Sequence, residues 1–218
     1  MSKKTVTNGP RWDQEFHDQF ARLLQWRRDV RHFDRRPIDE HILMSCLQQA
    51  VIGPSVGNAQ PWRMIRVRDE GLRRKIYDNF KAANADELTH YEGQQGASYA
   101  TLKLSGLDDA PVQISVFVDN ATTAGHGLGA RTMPETLAYS VVCMMHSLWL
   151  LLRSHGIGLG WVSILNPDDL CRDLAVPPGW KFIGHLCIGL PMQISETPEL
   201  VASGWQERLD MDQFLIER

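Results

Sequence analysis

Apolar residues recur along this chain at two spacings, and the switches between them lay out the elements. Phe16, Phe20, Leu23 and Leu24 share one helical face, after a polar start over residues 1–11 that carries no such pattern and is expected to fray. Pro37 marks a break, and Asp39 stands where a cap would begin a second helix with Ile42, Leu43, Cys46, Leu47 and Ala50 on its inner face, ended by Gly53-Pro54. Ile65 and Val67 alternate with charged residues as in a half-buried strand, and residues 72–80 return to helical spacing. Val112 to Val118, preceded by Pro111, is a clear strand. From Pro134 to Arg153 the chain is apolar nearly all round, which predicts a helix running through the interior or a subunit interface and stopped by Gly156. A strand beginning at Gly160 and another over residues 182–189 complete the regular elements.

Two stretches lack a core pattern. Over residues 84–107, Leu88, Tyr91, Tyr99, Leu102 and Leu104 lie scattered among glycines and polar residues, as expected of a covering lid with aromatic anchors and no rigid core. The tail, residues 191–218, holds Pro198 and a modest helical stretch, and is expected to wrap against a partner, in first place an identical subunit. No repeat and no Pro-, Gly- or Ser-rich linker divides the chain. The fold class is therefore α+β, one domain over residues 1–218.

Composition narrows the function. With 43% apolar residues a sizeable core is available, and a formal net charge of −3 gives no footprint for nucleic acid or an anionic membrane, so basic clusters need a local explanation. Cys46, Cys143, Cys171 and Cys187 are far apart, fitting free thiols in a reducing compartment better than a zinc site or disulfides. Residues 1–12 begin basic but lead into no apolar run, and Leu137–Leu152 is short and interrupted for a bilayer span; a cytoplasmic location follows as the expectation.

The candidate chemistry starts at Arg27-Arg28-Asp29-Val30-Arg31, three guanidinium groups around one carboxylate at the C-terminal side of a helix. Guanidinium forks match phosphate oxygens, whereas the helix dipole at that end disfavours an anion, so side-chain charge must do the holding. Asp29 would repel phosphate and must serve a neighbouring arginine or another part of a ligand. The segment Pro54 to Trp62 is a loop of small hydrogen-bonding residues. Gly156-Ile157-Gly158-Leu159-Gly160 follows a helix and enters a strand, the reverse of a dinucleotide fingerprint, and Gly125 to Gly129 lacks a P-loop Lys-Ser/Thr. The histidines show no ligand spacing, so no metal is expected, and Ser163 lacks the setting of a hydrolase nucleophile.

Taken together, the arginine stretch through Phe33, the Pro54–Trp62 loop and Gly156 to Ile164 resemble, in order and spacing, the flavin-dependent nitroreductase superfamily from about Arg27 to Gly189. The resemblance implies a mostly antiparallel sheet flanked by helices, an intertwined homodimer, and FMN at its interface. Within the superfamily, Asp29, Ser163, Lys103 to Gly106 and the segments around Pro198 and Arg208 are similar to the branch that consumes flavin to make 5,6-dimethylbenzimidazole.

That branch implies fragmentation of reduced FMN by O₂ to the benzimidazole and D-erythrose 4-phosphate, toward the lower ligand of cobalamin, with a flavin reductase as the source of reduced FMN. By the same resemblance Arg27, Arg28 and Arg31 clamp the phosphate and ribityl tail with Arg208 as a fourth candidate. Val30 and Leu104 are flavin contacts, Ser55 touches the ring across the dimer, Asp29 is the essential carboxylate, and Ser163 hydrogen-bonds near N5. Two alternatives stay open: an NAD(P)H-dependent nitro- or quinone reductase in which FMN survives, and a flavin-binding protein without turnover. Neither needs a carboxylate at position 29.

Overall fold

A computed structural model describes residues 9–91 and 106–218. Leu104 and most of the expected lid lie outside the described residues.

The first helix, α1 (Gln14–Trp26), starts where the Asp13 carboxylate accepts the Phe16 amide at 2.9 Å. Asp39 caps α2 (Glu40–Ala50) by accepting the His41 amide at 2.8 Å, and Asp69 caps α3 (Glu70–Leu88) by accepting that of Leu72 at 2.8 Å. Residues 84–88, placed by the sequence in the lid, instead continue α3 as its last turn. A short α4 (Gly106–Asp109) follows, then α5 (Thr136–Ser154), α6 (Pro167–Asp173) and α7 (Glu199–Ala202). The pattern did not predict α6, which is short but well signalled: Asn166 accepts the Asp168 and Asp169 amides, and Pro167 opens the first turn.

Five strands form one antiparallel sheet: β1 (Phe33–Asp34), β2 (Trp62–Arg66), β3 (Val112–Asp119), β4 (Gly158–Val162) and β5 (Trp180–Pro191). The long β5 organises it. One side of β5 pairs with β3, from Val112 opposite Ile188 to Asp119 opposite Trp180, and β2 lies outside β3. The other side pairs with β4, Gly158 opposite Gly189 to Val162 opposite His185, and then with β1. The strand expected from Gly160 to Ile164 thus starts two residues earlier and ends before Ser163, which stands exposed just past it.

Both faces of the sheet are covered, which is why β3 reads as a nearly continuous apolar run. Val112, Ile114, Val116 and Val118 pack with α2 and the inner stripe of α5, Val141, Met144, Met145, Leu148 and Leu152. Phe117, Cys187, Ile76, Phe80 and Leu170 form the core beneath α3 and α6. By length and composition α5 could cross a membrane, yet its inner stripe is the centre of the first core. Its outer side, with Tyr139 and Val142, is open. So is the apolar face of α1 that the periodicity predicts: Trp12, Phe16 and Phe20 stack on one another with ring centres 4.4 and 6.1 Å apart, and α1 buries no residue in the single chain.

One polar chain runs through the second core. The Gln113 amide donates to the Leu107 carbonyl at 2.7 Å, leaving its oxygen to accept from His185 Nε2 at 3.2 Å, so His185 Nδ1 accepts the Ser115 hydroxyl proton at 2.9 Å. Burial, and after it the positive charge of Arg73, lowers the His185 pKa from 6.5 to about 3. As pH falls below 6.5 the unfolded chain takes a proton that the folded one refuses until about pH 3, so this contribution to stability is complete above pH 6.5 and is lost on acidification. The unfolding free energy from urea titration should fall across that window, by at most about 1.4 kcal/mol per pH unit from this group. His185→Gln should flatten the slope, and an unchanged slope would show that another group titrates.

Candidate functional site

The site begins where α1 stops. Arg27 leaves helical geometry (ψ 127°) while its amide still donates to the Leu23 carbonyl, and the chain turns to run beside the outer edge of β4. There the Val30 amide donates to the Leu159 carbonyl at 3.0 Å, and Asp29 bridges Leu159 in the parallel sense. The Trp161 amide, which would otherwise be an unpaired edge group, donates to Asp29 Oδ1 at 2.9 Å. From α5, Trp149 Nε1 donates to the Arg28 carbonyl at 3.0 Å, and the Arg27 guanidinium lies 4.7 Å over the Trp149 ring.

The tail closes over the opposite side. Arg28 Nε donates to the Ser195 carbonyl at 3.1 Å and its Nη1 to the Arg27 carbonyl at 2.6 Å. Arg31 Nε stands 3.6 Å from both Asp29 Oδ2 and Glu199 Oε2, and Gln25 bonds Glu196. Between the tail and the arginine stretch lies a cavity of about 1110 Å³ lined by Arg28, Asp29, Arg31, Arg153, Gln193 and Glu199 among others, roomy enough for a ligand of mononucleotide size.

The charges are held against their preference. Burial pushes the Asp29 carboxyl above the usual carboxylate range, opposed by the Trp161 amide, Arg31 and Arg27. Although 37% of its side-chain surface still meets solvent at the cavity mouth, protein packs around the other sides, and burial prevails. Arg27 and Arg28 are both lowered, chiefly by burial; Arg208 acts on both, and Arg27 and Arg153 add to the repulsion on Arg28. An anion entering this cluster would relieve that repulsion, so the residues present fit a phosphate group.

Of the residues chosen from sequence, Arg27, Arg28, Asp29, Val30, Arg31 and Arg208 gather here, the last by its electrostatic effect on the first two. Ser163 follows two residues after Trp161, just past the end of β4, but it borders a separate recess of about 330 Å³. Its hydroxyl makes no hydrogen bond among the described residues. Ser55 is elsewhere in the single chain: its hydroxyl accepts the Gln60 amide at 3.1 Å, and the Val56 amide donates to Ser140 on α5. Ser140 precedes Trp149 by nine residues, so the loop meets α5 about 14 Å from where Arg27 does.

Sequence reasoning missed Trp149, Arg153, Glu199 and the Trp161 amide. Trp149 is one more apolar residue in an apolar helix, Arg153 looks like an ordinary basic helix end, and a tail glutamate carries no spacing signal. Only the tertiary fold assembles them, Arg153 and Glu199 at the cavity and Trp149 and Trp161 behind the arginine stretch.

Comparison with known proteins gives this geometry a context. The nitroreductase family matches residues 24–190. A 5,6-dimethylbenzimidazole synthase of Rhodospirillum rubrum is 49% identical over 203 residues, covering 93% of this chain and 96% of that protein; one of Rhodobacter capsulatus is 46% identical over 198 residues, 91% and 96%. A crystal structure of oxidized iodotyrosine deiodinase bound to FMN and 3-iodo-L-tyrosine shares the fold, with a TM-score of 0.72 at 21% identity over 91% of this chain and 97% of that one.

Glu199 competes with any anion for Arg31 but is half exposed, so its effect is modest. Glu199→Gln should tighten binding of inorganic phosphate by about two- to five-fold, the equivalent of roughly 0.5–1 kcal/mol. Calorimetric titration at low salt checks this, and an unaltered affinity would remove Arg31 from the anion site.

Proposed function

Because the chain belongs to the nitroreductase family, a premise from which the site can be read, we propose that it fragments reduced FMN with O₂ to 5,6-dimethylbenzimidazole and D-erythrose 4-phosphate, supplying the lower ligand of cobalamin. The observation that carries this reading is Asp29: a carboxylate buried among cations and fixed by one backbone amide. A flavin used only for recycling electrons needs no such group. Near-full-length identity with proteins named for that synthesis supports the same choice.

When bound, reduced FMN supplies the carbons and electrons of the reaction, and O₂ is the oxidant. Arg27, Arg28 and Arg31, with Arg208 and Arg153, hold the phosphate and ribityl tail by charge-assisted hydrogen bonds. Oδ1 of Asp29 accepts the Trp161 amide, so Oδ2, which Arg31 Nε approaches at 3.6 Å, is the oxygen that takes a proton from the ribityl chain. A raised pKa makes this carboxylate a stronger base than an exposed aspartate. Ser163, although it borders a separate recess in the single chain, donates its hydroxyl toward the reacting edge of the ring near N5. Val30 contacts the flavin.

The acting unit is a homodimer. The open apolar faces of α1 and α5 provide the surface, and a second copy brings a Ser55 loop to a cluster that its own chain cannot reach. Reduced FMN comes from a separate flavin reductase, and the setting is the cytoplasm. Light scattering should therefore give the mass of two 24.8 kDa chains; a monomer that turns over would refute the shared site.

Aerobic incubation with chemically reduced FMN, followed by mass spectrometry, should show the benzimidazole appearing as intact flavin disappears. Quantitative return of FMN with steady NADH oxidation on a nitroaromatic would instead identify a reductase. Asp29→Asn should keep FMN affinity within a few-fold while product falls at least a hundredfold; loss of both would reduce Asp29 to an ion-pair partner. Ser163→Ala should return more intact oxidised FMN and lower product by about ten-fold or more, the scale of a hydrogen bond worth roughly 1–3 kcal/mol in a dry site.

A further inference from the structure

The segment Gly158-Leu159-Gly160 has no phosphate to cradle, yet glycine is required at both of its ends. A β-carbon added at Gly160 would stand 2.2 Å from the Val30 carbonyl oxygen, a backbone atom that cannot step aside. One added at Gly158 would meet the Val30 side chain, 2.8 Å from Cγ2 and 3.1 Å from Cβ. Leu159, between them, is fully buried and accepts the Val30 amide through its carbonyl. The two glycines thus make a flat seat into which Val30 settles, and Asp29 is carried with it to the Trp161 amide.

We propose that Gly158 and Gly160 are positioning residues: the close approach they permit between Val30 and β4 aims the Asp29 carboxylate. This rests on the role given above to Asp29. A carboxylate held by one backbone hydrogen bond turns freely if the strand beneath it moves away, and a shift of about 1 Å is enough to misplace a reacting group. The Gly-x-Gly spacing therefore marks a docking site for the chain's own arginine segment.

The two clashes differ, and the difference supplies the test. Gly160→Ala strikes the Val30 backbone, whereas Gly158→Ala strikes chiefly the two Val30 methyl groups, which Val30→Ala removes, leaving only the 3.1 Å approach to its Cβ. Gly160→Ala should lower product formation from reduced FMN by at least ten-fold, and Val30→Ala should not restore it. Gly158→Ala should lower it by a smaller factor, and adding Val30→Ala should return the double variant most of the way to the level of Val30→Ala alone. In parallel, amide exchange at Val30 and Trp161 should quicken in both glycine variants and slow again only in the Gly158→Ala/Val30→Ala pair. Circular dichroism and the thermal midpoint confirm that each variant is folded.

Failure of Val30→Ala to rescue Gly158→Ala in both exchange and product, or wild-type exchange at Val30 in folded Gly160→Ala, would overturn the proposal. If the unaltered protein makes no benzimidazole, the functional reading fails, while the exchange experiment still decides whether the glycines seat Val30. Matching exchange changes with no change in product would show that the seat exists but does not aim a reacting carboxylate, which also refutes the proposal.

Discussion

A single edge pairing, that of Asp29 and Val30 against β4, governs the site. It satisfies the Val30 and Trp161 amides at 3.0 and 2.9 Å, and it carries a carboxylate and two flanking arginines into a place where burial opposes their charges. Ion pairs in such surroundings repay little of their desolvation, so backbone hydrogen bonds and the Trp149 contacts must hold what charge alone would not. The result is a carboxylate biased toward taking a proton, next to a cluster of cations biased toward taking an anion.

The packing that makes this possible comes from α5. Its inner stripe anchors one face of the sheet, and near its C-terminal end Trp149 turns outward to bond the Arg28 carbonyl and underlie Arg27. The chain then turns directly into β4, so one helix–strand hairpin presents both the indole and the edge amide that fix residues 27–30. Helix and clamp are parts of one unit, which suits the reacting role proposed for Asp29, since such a role requires placement within a fraction of an ångström.

Other features reach outward. The aromatic stripe of α1 and the outer side of α5 are apolar and open in the single chain, more than a solitary soluble chain ordinarily leaves exposed. The tail, by contrast, is tied down by charge: Glu196 and Glu199 and the Ser195 carbonyl engage Gln25, Arg31 and Arg28. An acidic strap over a cationic cluster offsets part of the repulsion among those arginines, Glu196 acting on Arg28 and Glu199 on Arg31.

Local residue patterns alone determined most of the elements. Asp39 announces α2, the apolar run over residues 112–118 announces β3, and the arginine triplet with its odd carboxylate announces a local cluster of charge. These are short-range facts, set by turn chemistry, side-chain period and charge, and they survive translation into sequence. The tertiary structure decided what lies between distant segments. Trp149, Arg153 and Glu199 join the site because α5 and the tail converge on it, Ser163 falls past the end of β4, and the face of α1 turns out of the core. Pairing register and helix docking sum many weak contacts across long chain separations, and no local window of residues contains that sum.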